Sequence, residues 1–208
     1  MGLLWVCLHS GDVSSAFFRR PVLTASLLLT GCASFQGASD GGSDKGSDTT
    51  GASTPTVAPA TGEKVTGDGY SFTVPEGWGF PEQGVPGQTA KTFAADLTDD
   101  DGFADNVNVL ASPAGKLTAE QIESLGVKEL KNSGVAKVDV LGRVTIAGSP
   151  SPHLSADFST RGIDYRIDQY YATNDTQTYV VTFSSSRSVS QADRDARAES
   201  VLATWAWN

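Results

Sequence analysis

Cys32 is the residue of this 208-residue chain whose type and setting most clearly indicate chemistry. It ends the tetrad Leu29-Thr30-Gly31-Cys32, in which two small residues come directly before a thiol. Small side chains let a peptidase reach the bond before the cysteine, and the cysteine thiolate is a nucleophile that can be alkylated. The tetrad therefore predicts cleavage before Cys32 and covalent modification of its sulfur.

The residues before the tetrad have the layout of a secretory signal. Arg19 and Arg20 supply a positive segment, and an apolar run follows from Pro21 to Thr30. The run is much shorter than the roughly 20 residues that a membrane-spanning helix needs. The tetrad resembles a lipobox, which predicts lipidation of Cys32 with diacylglyceryl and palmitate-type chains, recognition of Leu29, Thr30 and Gly31, and a lipoprotein signal peptide over residues 1–31. An ordinary cleaved secretory signal is the alternative.

The first dozen residues fit this layout poorly. Trp5, Cys7 and Asp12 precede the arginines, whereas a start at Val13 would give a signal of normal proportions. A true start near residue 13 is therefore our interpretation. The paired arginines also keep twin-arginine export open beside the plain secretory route.

Loss of the signal would remove whole classes of chemistry. Cys7 and His9 would leave with it, and Cys32 would become a thioether, so His153 would be the only imidazole and no free thiol would remain. A multi-histidine zinc site and a Cys/His nucleophile pair are thereby excluded. The sequence has no Gly-x-Ser-x-Gly elbow and no Ser-x-x-Lys, so no serine is singled out as a partner for His153. We expect no catalytic residue, no cofactor and no metal.

The formal net charge of −9 bears on the partners of this chain. An acidic surface repels nucleic acid, whose binding requires Lys and Arg to neutralise phosphates. It also repels anionic headgroups, so membrane contact would come from the acyl chains on Cys32. We therefore expect a membrane partner through the lipid anchor and no nucleic-acid partner.

Composition divides the rest of the chain into a linker and one domain. Residues 32–67 are mostly Gly, Ser, Thr, Ala, Asp and Pro, which is typical of a disordered tether. About 35 residues of such chain have a root-mean-square reach of roughly 30 Å. Residues 68–208 then have the size of a single domain with one core.

The domain reads as strands interrupted by two helices. Strands are predicted at Tyr70–Val74, 91–97 and 107–110, and consecutive hairpins over 153–184. Thr118 and Gln121 form a capping box that starts the first helix, and Ser188 or Ser190 caps the second. Hairpins combined with two long helices predict an α+β fold, with one antiparallel sheet sandwiched by or packed against the helices.

Several segments also resemble a known family. They are Phe72-Thr73-Val74-Pro75-Glu76-Gly77-Trp78, Asn106-Val107-Asn108-Val109, Gln169-Tyr170-Tyr171, Tyr179-Val180-Val181-Thr182-Phe183, and a closing helix that ends near Trp205. Together they resemble the LpqN/LpqT-type lipoproteins of actinobacteria, which are similar in fold to PsbP-like domains. The resemblance implies an envelope lipoprotein that works by binding, in lipid or glycolipid traffic or in envelope biogenesis, and it implies no catalytic residues.

Three polar or aromatic groups are candidate sites in the domain. The aspartates of residues 96–105 fail the EF-hand pattern, which leaves a solvated loop as the expectation and a looser calcium site as the alternative. Asp164, Arg166 and Asp168 share one strand face, which predicts a surface ion-pair ladder. Tyr170, Tyr171 and Tyr179 lie on neighbouring strands, where they are either core residues or the edge of a ligand groove.

These observations predict a non-catalytic binding protein, anchored by Cys32 on the extracytoplasmic face of the cell membrane. Its expected partners are an envelope lipid or glycolipid, or a membrane transport protein. A surface hydrolase and a chaperone-like adaptor for a membrane protein are the alternatives. A cavity of several hundred Å³ beneath a helix would favour lipid binding. A solidly packed core would favour the adaptor, and a polar cleft at His153 would favour the hydrolase.

Overall fold

The computed structural model describes residues 51–82, 90, 92–160 and 162–208. The signal and Cys32 lie outside the described residues. Within these described residues there are two α-helices, α1 (Ala119–Asn132) and α2 (Gln191–Leu202), and ten strands. The ten strands are β1 (Lys64–Thr66), β2 (Tyr70–Thr73), β3 (Trp78–Gly79), β4 (Thr92–Asp96), β5 (Asn106–Ala111), β6 (Val138–Ile146), β7 (Ser149–Thr160), β8 (Ile163–Thr173), β9 (Thr178–Ser186) and β10 (Ala206–Trp207).

The strands form two antiparallel sheets. Seven strands make the larger sheet in the order β3-β4-β5-β9-β8-β7-β6, and β1-β2-β10 make the smaller one. The long strands β6 to β9 follow one another through short turns, so each pairs with its neighbour in the chain. The hairpins predicted over residues 153–184 correspond to β7, β8 and β9. The predicted α+β fold with an antiparallel sheet and two main helices is confirmed.

Helix α1 packs on one face of the larger sheet. The predicted capping box is present: the Gln121 amide donates to the Thr118 hydroxyl, and the Thr118 amide donates to the Gln121 side chain. Ile122 and Leu130 are buried against Leu154 and Ile167 of the sheet. Gly126 lets the helix approach closely, since a Cβ there would lie 2.6 Å from Leu154 Cδ1.

The other face of the larger sheet carries α2 and the small sheet. Ala198, Val201 and Leu202 of α2 are buried in the same apolar cluster as Phe72 of β2 and Phe183 of β9. Trp205 follows the helix, and its ring stacks on Tyr70 at a centroid distance of 4.6 Å. The core therefore has two halves, one on each side of the seven-stranded sheet.

The fold extends further toward the N-terminus than the boundary predicted at Asp68. Strand β1 falls inside the segment assigned to the linker, and its Val65 pairs with Phe72 of β2. Before it, the Ala60 amide donates to the Ser200 carbonyl, and Ser53 forms a parallel bridge to Val144 of β6. Backbone hydrogen bonds place these residues on the domain despite their polar composition.

Strand β6 pairs irregularly with β7. Its register on β7 shifts between Leu141 and Val144, around Gly142. Among the described residues, neither helix is long and apolar enough to cross a membrane.

Candidate functional site

The histidine of the domain is buried beneath α2. His153 lies on β7, is 5% exposed, and stacks on Tyr170 of β8 at a centroid distance of 4.2 Å. Because His153 pairs with Tyr170 in the register of these strands, the two rings point to the same side of the sheet. Its Nε2 lies 2.9 Å from Asp168 Oδ1, in a hydrogen bond within the interior.

Asp168 joins the histidine to the helix above it. It is 1% exposed, and its second oxygen accepts a hydrogen bond of 2.9 Å from Arg194 Nε of α2. Arg194 also donates to the Val189 carbonyl, just before the helix. Burial by itself would raise the pKa of Asp168, but hydrogen bonds from His153 and Ser155 and the charge of Arg194 hold that pKa below its usual value. The carboxylate is therefore held ionised.

This arrangement has one feature of a catalytic site and lacks another. A carboxylate orients the imidazole, as a histidine general base requires. However, no hydroxyl among the described serines hydrogen-bonds to His153, and Tyr170 covers the face of its ring. The cluster is built as an internal connection between β7, β8 and α2, with little surface for a substrate to touch.

A second charge pair ties α2 to the sheet. Arg197 binds Asp105, which is 2% exposed, and the Ser186 amide donates to the other oxygen of Asp105 at 2.7 Å. The guanidinium of Arg197 also lies 5.6 Å from the ring centroid of Trp78, in a cation–π contact. Burial raises the pKa of Asp105 and outweighs the opposing effects of Ser186 and Arg197.

The predicted surface ladder on β8 is correct only in part. Arg166 pairs with Asp157 and Asp139 on neighbouring strands, as a surface ladder would. Asp168 shares that side of the sheet but is buried, so its predicted place at the surface is wrong. Helix α2 covers this part of β8 and carries a cation that satisfies the carboxylate.

The three tyrosines proposed as a ligand groove do not lie together. Tyr170 belongs to the apolar cluster beneath α2, and Tyr171 to the cluster beneath α1, because successive residues of a strand face opposite sides. Tyr179 packs beside Tyr70 at the edge of the α2 side and donates to the Asp68 carbonyl. Tyr170 and Tyr171 are core residues.

A small cavity lies between α1 and the sheet. Its volume is about 40 Å³, and its lining includes Leu117, Leu125, Gly126, Tyr171 and Val180. An engineered cavity that binds benzene has about 150 Å³. This cavity is therefore too small for a lipid chain.

The acidic loop between β4 and β5 uses its carboxylates for its own turns. Asp99 accepts from the Asp101 and Asp105 amides, and Asp101 accepts from the Phe103 amide. The latter bond holds the pKa of Asp101 below its usual value. These carboxylate oxygens accept hydrogen bonds from backbone amides of the same loop. The arrangement is consistent with the solvated loop that the sequence predicts.

The sequence prediction missed the two arginines of α2. Arg194 lies four residues before Ala198, and Arg197 lies four residues before Val201, so both arginines lie on the helix face that the apolar residues define. Charged residues within a buried helix face indicate carboxylate partners on the opposing element. That spacing was a usable signal.

Cys32, Leu29, Thr30 and Gly31 lie outside the described residues.

Comparison with known proteins gives likenesses of structure alone. No protein-family model matches the sequence, and no curated protein matches it. The fold is similar to a crystal structure from Bacteroides thetaiotaomicron, with 16% identity and a TM-score of 0.44. That match covers 70% of this chain and 48% of the other, so this chain spans about half of the length of that protein.

Two further solved structures are similar over most of their length. LpqN of Mycobacterium tuberculosis, described as involved in cell envelope biogenesis, has 16% identity and a TM-score of 0.47 over 69% of this chain and 88% of its own. PsbP of the cyanobacterium Synechocystis has 14% identity and a TM-score of 0.42, and the match covers 69% of this chain and 91% of that protein. Likenesses at this level carry no argument about function.

Proposed function

We propose that this chain is a non-catalytic binding protein, anchored by lipid at Cys32 on the extracytoplasmic face of a cell membrane. The arginine pair, the apolar run and the tetrad that ends in Cys32 support the anchor. The resemblance of its strand motifs to LpqN/LpqT-type lipoproteins supports a role in the cell envelope. The anchored domain then acts within reach of the membrane surface.

The burial of His153 carries the non-catalytic part of the proposal. This residue is the only imidazole after the signal, and its Nε2 is engaged by a carboxylate that Arg194 also holds. A general base must reach a proton on the substrate, which a ring 5% exposed beneath a tyrosine does not do. A surface hydrolase that depends on this histidine is therefore disfavoured.

Binding at the outer surface is supported over enclosure of a lipid in the cavity beside α1. That cavity holds about 40 Å³, whereas pockets for drug-sized molecules have several hundred. Leu110 and Leu125 are 44% and 48% exposed on the α1 side, and Leu125 is among the residues that line the cavity. In this proposal a partner protein contacts these exposed leucines.

Membrane fractionation tests the anchor. The full-length chain is expected in the membrane fraction, and Cys32→Ser in the soluble fraction, with Cys7→Ser as the matched control that stays in the membrane. Membrane retention of Cys32→Ser would contradict the anchor.

Native mass spectrometry of the anchored protein, extracted from its own membranes, tests the mode of binding. We expect that the only mass beyond that of the polypeptide is the mass of the lipid on Cys32. In a separate experiment, cross-linking is expected to recover a protein partner. A second, noncovalent lipid in stoichiometric amount would contradict surface binding and favour a lipid carrier.

A further inference from the structure

A third carboxylate approaches the His153–Asp168 pair from α2. One ligand-type atom from each of His153, Asp168 and Asp195 lies within 4.8 Å of the other two. Oδ1 of Asp195 is buried and has no hydrogen-bond partner. A buried carboxylate oxygen without a partner is costly, so this position calls for a cation or a donor.

The arginines nearest to Asp195 in the chain form their hydrogen bonds with other groups. Arg194 donates to Asp168 and to the Val189 carbonyl, and Arg197 pairs with Asp105 on another part of the sheet. Asp195 is therefore the member of the cluster whose charge the described side chains leave uncompensated. It is also partly exposed, whereas His153 and Asp168 are buried, so it lies nearest to solvent.

The spacing of the buried pair is slightly shorter than that of two ligands of one metal ion, so a small separation of the two side chains would admit the ion. Two ligand atoms bound at about 2.1 Å, with an angle of 90° to 110° between the bonds, are separated by roughly 3.0–3.4 Å. His153 Nε2 and Asp168 Oδ1 are 2.9 Å apart. Arg194 would hold the second oxygen of the ligating carboxylate, as outer hydrogen bonds do in metal sites.

We propose that His153, Asp168 and Asp195 form a binding site for one divalent first-row transition ion, with water completing the coordination. One imidazole and two carboxylates suit Zn²⁺ or Mn²⁺. Ca²⁺ takes oxygen ligands and is disfavoured by the imidazole. The ion replaces the Nε2 proton of His153, so binding weakens as the solution becomes more acidic.

The site would link α2 to the middle of the sheet. His153 lies on β7, Asp168 on β8 and Asp195 on α2, so a bound ion would join three elements. The ion would bind the folded chain in preference to the unfolded one and so raise its thermal midpoint. This site is independent of the lipid anchor and of the proposed binding function.

Zinc binding is tested on the full-length chain with three substitutions, Cys7→Ser, His9→Ala and Cys32→Ser. They remove both cysteines and the other histidine of the sequence, so His153 is the only imidazole. After treatment with a chelator, equilibrium dialysis is expected to show one Zn²⁺ per chain. Asp195→Asn should lower the affinity at least about tenfold, because it removes one charged ligand. Asp193→Asn, the same change at an exposed position of α2, should leave the affinity unchanged.

Nuclear magnetic resonance makes the test independent of variants that fail to fold. With one histidine in the background chain, its two ring nitrogens give isolated signals, and Zn²⁺ is expected to shift the Nε2 signal strongly. Failure to bind Zn²⁺ would overturn the proposal. So would binding that Asp195→Asn leaves intact, or binding that leaves the His153 signals in place.

Discussion

Replacing Arg194 by methionine is expected to destabilise the fold by about 3 kcal/mol, because it removes one partner of a buried carboxylate. Arg194 Nε lies 2.9 Å from Asp168 Oδ2, and the two side chains are 8% and 2% exposed. At an effective dielectric constant of 20, unit charges 4 Å apart attract by about 4 kcal/mol. Breaking a buried pair costs about 3–5 kcal/mol, and methionine keeps part of the packing of the arginine stem.

Arg187→Met is the matched control. Arg187 pairs with Asp157 at 3.1 Å, but both side chains are about half exposed. Exposed pairs contribute about 0–1 kcal/mol, so the control should change the free energy of unfolding by less than about 1 kcal/mol. Urea unfolding at neutral pH in the presence of a chelator measures both variants without a contribution from bound metal.

The pH dependence gives this prediction a second, independent readout. The pKa of Asp168 is lowered in the folded state, so the carboxylate stabilises the fold above its unfolded pKa of about 4. That stabilisation is lost as the pH falls through the folded value. The difference between wild type and Arg194→Met should therefore shrink in acid. A loss no larger than that of Arg187→Met, or a difference that stays constant into strong acid, would refute the reasoning.

Three further predictions concern the caps, the core and its phenols. Thr118→Ala should cost about 1 kcal/mol in urea unfolding by removing the capping box, and an unchanged midpoint would contradict this. Gly126→Val should lower the thermal midpoint because its Cβ would meet Leu154. Gly142→Val, with open space around its Cβ, should leave the midpoint unchanged. Equal midpoints for the two variants would argue against close packing of α1. Burial raises the pKa of the phenols of Tyr70, Tyr170 and Tyr171, so stability present below about pH 10 should be lost at higher pH. Absorbance at 295 nm should then show that these three phenols ionise in the same pH range in which the chain unfolds. Gradual ionisation while the chain is still folded would contradict the burial of the phenols.

The elements that the sequence predicted well are those whose signals are local. Thr118 and Gln121 satisfy each other's backbone groups three residues apart, so the start of α1 can be predicted without any tertiary contact. The hairpins from β7 to β9 likewise depend on short turns and alternating side chains. Strand β1 has three residues and one apolar side chain, so only its pairing with β2 reveals it.

The polar cluster could be predicted only in part, because its burial depends on distant residues. Alternation along β8 places Arg166 and Asp168 on one side of the sheet, but it does not show where α2 will cover that side. The sequence analysis left open a groove made by Tyr170 and Tyr171, although alternation along β8 makes these two neighbours face opposite sides of the sheet. Recognising a buried carboxylate requires the helix and its arginines to be placed first.

Both helices are held to the sheet by apolar packing and by ion pairs, but only the ion pairs of α2 use buried carboxylates. Helix α1 packs around Gly126, and its Glu120 and Glu123 also pair with Arg143 of β6 through carboxylates that are 71% and 29% exposed. Ion pairs of partly exposed carboxylates contribute less than buried ones. Helix α2 is fixed at two points, because Arg194 binds Asp168 on β8 and Arg197 binds Asp105 at the start of β5. Strand β9 separates these two strands, so the anchor points lie roughly 10 Å apart across the sheet. Two separated charge pairs fix the direction of a helix as well as its position, so acid or loss of one arginine should loosen α2 before α1.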